Sequence, residues 1–141
     1  MKRLFAALWS RVHADVDATM SPAKEHVFRD IPGQILELGP GVGSNFHRYP
    51  RGTRVIAYEP NPHMHKRLEG MAAEHGIELD LRSAKAESLD EPDASQEAVI
   101  ATLTLCSVDD PAGVIAEVRR VLRPGGRFLF VEHIAAPQGT A

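Results

Sequence analysis

Gln34-Ile35-Leu36-Glu37-Leu38-Gly39-Pro40-Gly41-Val42-Gly43-Ser44-Asn45 decides how the rest of the chain is read. Ile35 to Leu38 is a short apolar run, the pattern of a buried strand. It breaks into glycines spaced Gly-x-Gly-x-Gly. Glycine takes positive φ and has no Cβ, so the backbone can turn sharply and lie against a ligand. Ser44 to Tyr49 can then open a helix whose free N–H groups face that ligand. Strand, glycine turn and helix form the nucleotide-binding corner of a doubly wound, mainly parallel α/β sheet.

The spacing separates two ligand classes. A dinucleotide turn needs Gly-x-Gly-x-x-Gly, which from Gly39 puts a glycine at position 44. Ser44 stands there, and the third glycine falls at Gly43. This disfavours a dehydrogenase. Glu37, two residues before the first glycine, adds a carboxylate suited to a ligand ammonium.

Composition bounds the remaining possibilities. The 141 residues form one domain, with N-terminal helices over 1–30 and a core over 31–134. A formal net charge of −3 provides no basic footprint for nucleic acid. The single cysteine, Cys106, suits a reducing, cytoplasmic compartment. The histidines show no zinc spacing, so no metal site is expected. Lys2-Arg3 before Leu4-Phe5-Ala6-Ala7-Leu8-Trp9 imitates a signal peptide, but the apolar run stops at Ser10-Arg11, too short for a signal core or a membrane span.

Leu4, Phe5, Leu8, Trp9, Val12 and Val16 share one helical stripe, expected to close over the ligand site. An interfacial membrane helix is the lesser alternative, since Asp15 and Asp17 interrupt its basic face. Ser21-Pro22 reads as the start of a second helix, and Ile31-Pro32-Gly33 as the turn into the first strand. The second strand, Arg54 to Tyr58, ends at Glu59, whose carboxylate can accept from a pair of ribose hydroxyls. Pro60-Asn61-Pro62 opens a helix through about His75, with Met64 placed either for an adenine face or for core filling. Ile77 to Leu81 is a third strand. The loop beyond it offers Ala86 and Glu87, the latter equally readable as a solvated acid. Ala98 to Cys106 is one apolar run, the mark of a strand covered on both faces. Asp110-Pro111 starts a helix that stops at Leu122-Arg123-Pro124-Gly125-Gly126. Arg127 to His133 is the fifth strand.

Glu37-x-Gly39-x-Gly41-x-Gly43, Glu59, Ala86-Glu87 and Leu122-Arg123-Pro124-Gly125-Gly126 together resemble the class I S-adenosylmethionine-dependent methyltransferases, over about Ile31 to His133. Within that class, Tyr49-Pro50, Glu59-Pro60-Asn61-Pro62, Thr102 to Val108 and Glu132-His133 resemble the thiol S-methyltransferase group and, less closely, the quinone-biosynthesis C-methyltransferases. The resemblance implies S-adenosylmethionine as cofactor, S-adenosylhomocysteine as product and a small-molecule methyl acceptor. It implies cofactor contacts at Glu37, Leu38, Gly39, Pro40, Gly41, Gly43, Asn45, Glu59, Pro60, Met64, Ala86, Glu87, Thr102 and Leu103. Lys85 departs from the family's usual Asp in the adenine loop, and Glu97 from the Asp that usually starts the fourth strand.

No catalytic side chain is assigned. His133 is the one tempting base, though a contact with a neighbouring loop is the favoured reading of it, and Cys106 reads as a small buried hydrophobe. The animal thiol enzymes carry an N-terminal membrane anchor that this sequence does not show. By the same resemblance the family's usual segment after the fifth strand is expected to be truncated. An uncovered fifth strand would pair with a second copy, so a homodimer is expected. The alternative to an enzyme is a non-catalytic module that binds S-adenosylmethionine or S-adenosylhomocysteine.

Overall fold

Strand β1 (Gln34–Leu38) lies at the centre of a five-stranded parallel sheet in the computed structural model, which describes residues 2–133. β2 (Arg54–Tyr58) and β3 (Glu78–Arg82) follow on one side, β4 (Gln96–Thr102) and β5 (Leu122–Val131) on the other, giving the order β3-β2-β1-β4-β5. The connections reverse direction at β1, so a crevice opens between the carboxyl ends of β1 and β4. Alternate residues of each strand face opposite sides. Ile35, Val55, Ala57, Ala98 and Ile100 meet Phe28, Phe46, Tyr49 and Leu68 in one core layer. Leu36, Leu38, Ile56, Tyr58, Val99 and Ala101 meet Val114, Val118 and Val121 in the other.

Helix α2 (Pro62–His75) has the bounds its sequence implies. Asn61 Oδ1 accepts from the His63 amide, proline fills the first turn, and Gly76 ends the helix at φ +67°. Helix α3 (Pro111–Val121) is capped by Asp110, which accepts from the Gly113 amide at 3.0 Å.

Four local expectations are corrected. Residues 2–27 form one helix, α1 (Lys2–Val27), with Pro22 inside it, where two helices were expected. A proline removes one helical hydrogen bond, but a side-chain bond within α1 spans the joint and Arg48 braces the turn before it. Lys24 Nζ donates to Asp17 two turns earlier at 2.7 Å, and Arg48 bonds both Asp17 oxygens and Ser21 Oγ.

After the glycine turn only a short 3₁₀ turn, Phe46–Arg48, forms in place of a helix. Pro50 forces Tyr49 into an extended conformation (φ −88°, ψ 143°), which ends it. β4 stops at Thr102, four residues short of Cys106, because Leu103 turns the chain at φ +53°.

β5 begins at Leu122, ahead of the expected start. Leu122 pairs with Gln96 and Arg127 with Ala98, so Arg123 to Gly126 bulge out between them. An edge strand tolerates such a proline-containing bulge. Its Phe128 and Phe130 rings stack at 5.0 Å, and Phe130 remains 53% exposed.

Candidate functional site

A cavity of about 480 Å³ opens where the ends of β1, β2 and β4 meet the lower half of α1, within the range of small-molecule sites. Its floor is the glycine turn. Gly39, Gly41 and Gly43 all lie at positive φ (59°, 61° and 84°). A Cβ on Gly39 would fall 2.8 Å from Thr104 Cγ2 and 2.9 Å from its Oγ1, so glycine is needed there for space as well as conformation.

Glu59 follows β2 and is 6% exposed. One carboxylate oxygen accepts from the Gly41 amide at 3.0 Å, the other from the Asn61 amide at 2.8 Å. The His65 ring bonds its carbonyl oxygen at 2.8 Å. The acid is thereby fixed against the turn.

Glu37, wholly buried, accepts from Asn45 Nδ2 at 2.7 Å and from Tyr49 Oη at 3.0 Å. Burial raises its carboxyl to about 7, against the opposing pull of the Asn45 and Tyr49 hydrogen bonds and the Lys24 charge. Burial and the facing Glu37 keep Tyr49 protonated as the donor. Asn45 also donates to Thr102 Oγ1 at 3.0 Å, while its Oδ1 is buried with no hydrogen-bond partner. A buried acceptor left open beside a carboxylate is a site for a cation that donates hydrogen bonds. A ligand ammonium fits it.

Twelve of the fourteen expected contact residues line the cavity: Glu37, Gly39, Pro40, Gly41, Asn45, Glu59, Pro60, Met64, Ala86, Glu87, Thr102 and Leu103. Leu38 and Gly43 do not. Leu38 packs wholly buried in the sheet's second core layer, and Gly43 lies against Phe46 and Met71. Met64 and Ala86, 2% and 6% exposed, form an apolar wall suited to an aromatic face. Glu87 does reach the cavity, but its carboxylate accepts from the Asp109 and Asp110 amides at 2.9 and 3.4 Å. Lys85 pairs with Asp109 beside it. The loop after β3 is thus fastened to the loop after β4.

The expected closure by the N-terminal stripe is met only at its far end among the described side chains. Leu4 and Leu8 are 76% and 59% exposed, and the side chains of Phe5 and Trp9 lie outside the described residues. Val16, the last residue of the stripe, lines the cavity, as does Lys24 farther along α1. Cys106 is exposed in the turn after β4 and lines the cavity, so it is not core filling. His133 lines it as well. Glu132 Oε1 accepts from the Thr104 and Leu105 amides at 2.8 and 3.1 Å, fixing that turn.

Sequence reasoning missed Lys24 and Thr104. Lys24 belongs to no motif. Thr104 follows Thr102 at the end of an apolar run, and two hydroxyls there were the available signal. Its Oγ1 donates to Leu38 O at 2.9 Å, tying β4's end to β1's.

A family model described as a methyltransferase domain matches residues 36–130. The chain is 39% identical to human thiol S-methyltransferase TMT1B, over 99% of this chain and 62% of that protein. It is 42% identical to human thiol S-methyltransferase TMT1A, over 75% and 45% respectively. It therefore spans roughly half to three fifths of these relatives. Among solved structures, the YcgJ protein of Bacillus subtilis matches with a TM-score of 0.69 at 25% identity, over 84% of this chain and 51% of that one. Among the described residues no helix is long and apolar enough to cross a membrane. The glycine turn, the fixed Glu59 and the open acceptor at Asn45 suit an adenosyl amino acid, and the chain belongs to the class I methyltransferase family, whose cofactor is S-adenosylmethionine.

Proposed function

We propose that this chain transfers a methyl group from S-adenosylmethionine to a small-molecule thiol by in-line displacement. The observation that carries the reading is Glu59, held by the Gly41 and Asn61 amides at the edge of the glycine turn, where a carboxylate suits a pair of ribose hydroxyls. Glu37 and Asn45 Oδ1 receive the ammonium, and Met64 and Ala86 flank the adenine. The cofactor supplies an electrophilic methyl on a positively charged sulfur.

The protein's part is positioning and dryness. Holding two reactants in line contributes on the order of 7–11 kcal/mol. A thiolate meeting a sulfonium loses two charges in the reaction, so the apolar lining from Leu103 and Val108 favours it. A thiol titrating near 8.5 is partly ionised at neutral pH, so the reading requires no general base from the chain. The thiol acceptor itself is supported by the TMT1A and TMT1B relatives.

Calorimetric titration with S-adenosylmethionine and S-adenosylhomocysteine, followed by mass spectrometry of a small thiol incubated with the cofactor, tests this. Binding with methylation is expected. Binding without methylation of any thiol leaves a non-catalytic cofactor-binding module, and failure to bind refutes both readings.

We also propose a cytoplasmic homodimer. The exposed thiol of Cys106 suits a reducing compartment. The outer edge of β5 is unpaired among the described residues and carries exposed Phe130. Light scattering should give twice 15.4 kDa, and a monomer at micromolar concentration removes the dimer.

A further inference from the structure

The buried charges where α1 meets the site do not balance. Lys24 is 3% exposed and Arg48 has a side chain 9% exposed, yet both converge on one carboxylate, Asp17. Arg48 NH1 bonds both Asp17 oxygens, at 2.9 and 2.8 Å, and so matches that charge by itself. Lys24 makes one hydrogen bond among the described residues, to Asp17 at 2.7 Å, and an ammonium has three donors. The nearby Glu37 has its oxygens engaged by Asn45 and Tyr49. Two buried cations therefore share Asp17, since burial holds the adjacent Glu37 toward its protonated form against the pull of Lys24, and a buried ammonium with donors unfilled is costly. Lys24 also lines the cavity together with Glu37, Ser44 and Asn45. The missing partner is an anion entering from the cavity, beside the residues that suit an ammonium.

An amino-acid group carries a carboxylate and an ammonium on one carbon. We propose that Lys24 is the anchor for the carboxylate of the cofactor's amino-acid end, held in place by Asp17, which Arg48 fixes in turn. The inference rests on the cofactor reading above and adds a specificity: Lys24 separates adenosyl ligands that have a carboxylate from those that lack one. It also gives α1 a role. Cofactor binding bridges the helix to the glycine turn, because Lys24 comes from one and Asn45 from the other.

The test is titration of the parent protein and Lys24→Met with S-adenosylhomocysteine and with its decarboxylated analogue. Asp17 keeps Arg48 as partner in the variant. The parent should bind S-adenosylhomocysteine on the order of ten- to a hundredfold more tightly than the analogue, as befits a charge-assisted hydrogen bond. Lys24→Met should lose that preference while its affinity for the analogue stays within about twofold, a small change against such an effect. The proposal is overturned if the variant keeps the preference, or if both ligands weaken equally, which marks a purely structural lysine. Should Lys24→Met not fold, Lys24→Gln takes its place, and equal parent affinities for the two ligands also overturn it. A parent that binds neither ligand overturns the cofactor reading, and the anchor with it.

Discussion

Replacing Glu37 by glutamine should make the ligand-free protein more stable above neutral pH while weakening its hold on the cofactor. The Glu37→Gln side chain would keep the shape: its carbonyl can accept from Asn45 Nδ2, and its amide can donate to the Tyr49 hydroxyl. It would remove the charge that burial disfavours. The Glu37 carboxyl is raised from its usual 4.5 to about 7 by burial. Between those values the folded state retains a proton that the unfolded state has released. Stability falls as pH rises across that window and is level above it. Two and a half pH units correspond to about 3 kcal/mol. Urea unfolding at pH 4.5, 6 and 8 should therefore show the parent losing about 3 kcal/mol that E37Q keeps. Ligand binding should run the other way. A bound ammonium favours the ionised carboxylate, so S-adenosylhomocysteine should expel up to one proton from the parent near pH 6 and none from E37Q. Calorimetry in buffers of different ionisation enthalpy counts that proton. Parallel stability profiles for parent and variant, with no difference in proton release, would refute the reasoning.

Two further outcomes follow from the turn. Glu59→Ala removes the acceptor for the Gly41 and Asn61 amides as well as the two ligand contacts proposed for it. Its affinity for S-adenosylhomocysteine should fall at least about tenfold, since each charge-assisted bond contributes about 1.5–3 kcal/mol; a folded variant of parent affinity, read by calorimetry, would remove Glu59 from the ligand's partners. Gly39→Ala places a Cβ 2.8 Å from Thr104 at a φ of +59°. Backbone strain and overpacking together should cost about 2–4 kcal/mol, and a melting temperature equal to the parent's would show that the turn relaxes freely.

Local chemistry wrote most of the scaffold into the sequence. The glycine spacing, Glu59 at its strand end, Asn61-Pro62 and Asp110-Pro111 each act within a few residues, and each stands where the sequence puts it. What was not legible depends on partners distant in sequence. Pro22 reads as a helix start until Lys24, beyond the joint, bonds back to Asp17, which Arg48, from another element, also holds. Pro124-Gly125-Gly126 reads as a stop because nothing local reveals that Leu122 pairs with Gln96 ahead of a bulge. Leu103 gives no hint of its positive φ, so the run to Cys106 looks like one strand and the thiol looks buried. Lys24 is one basic residue among many on a helix. Its burial follows from how α1 docks, and no spacing rule encodes that.

The tie between the ends of β1 and β4 bears on the order in which the protein matures. Thr104 reaches back 66 positions to Leu38, and Asn45 reaches forward 57 positions to Thr102. Nearby pairings form readily, whereas distant ones must first overcome the entropy of closing long loops. On that ground β1 is expected to pair first with β2, its other edge closing only when β4 inserts. Until that insertion the cavity lacks the wall that Thr102, Leu103 and Thr104 supply. The cofactor then stabilises the finished chain by mass action and leaves earlier species unaffected. A bound cofactor would thus act on the closed sheet and not on its precursors.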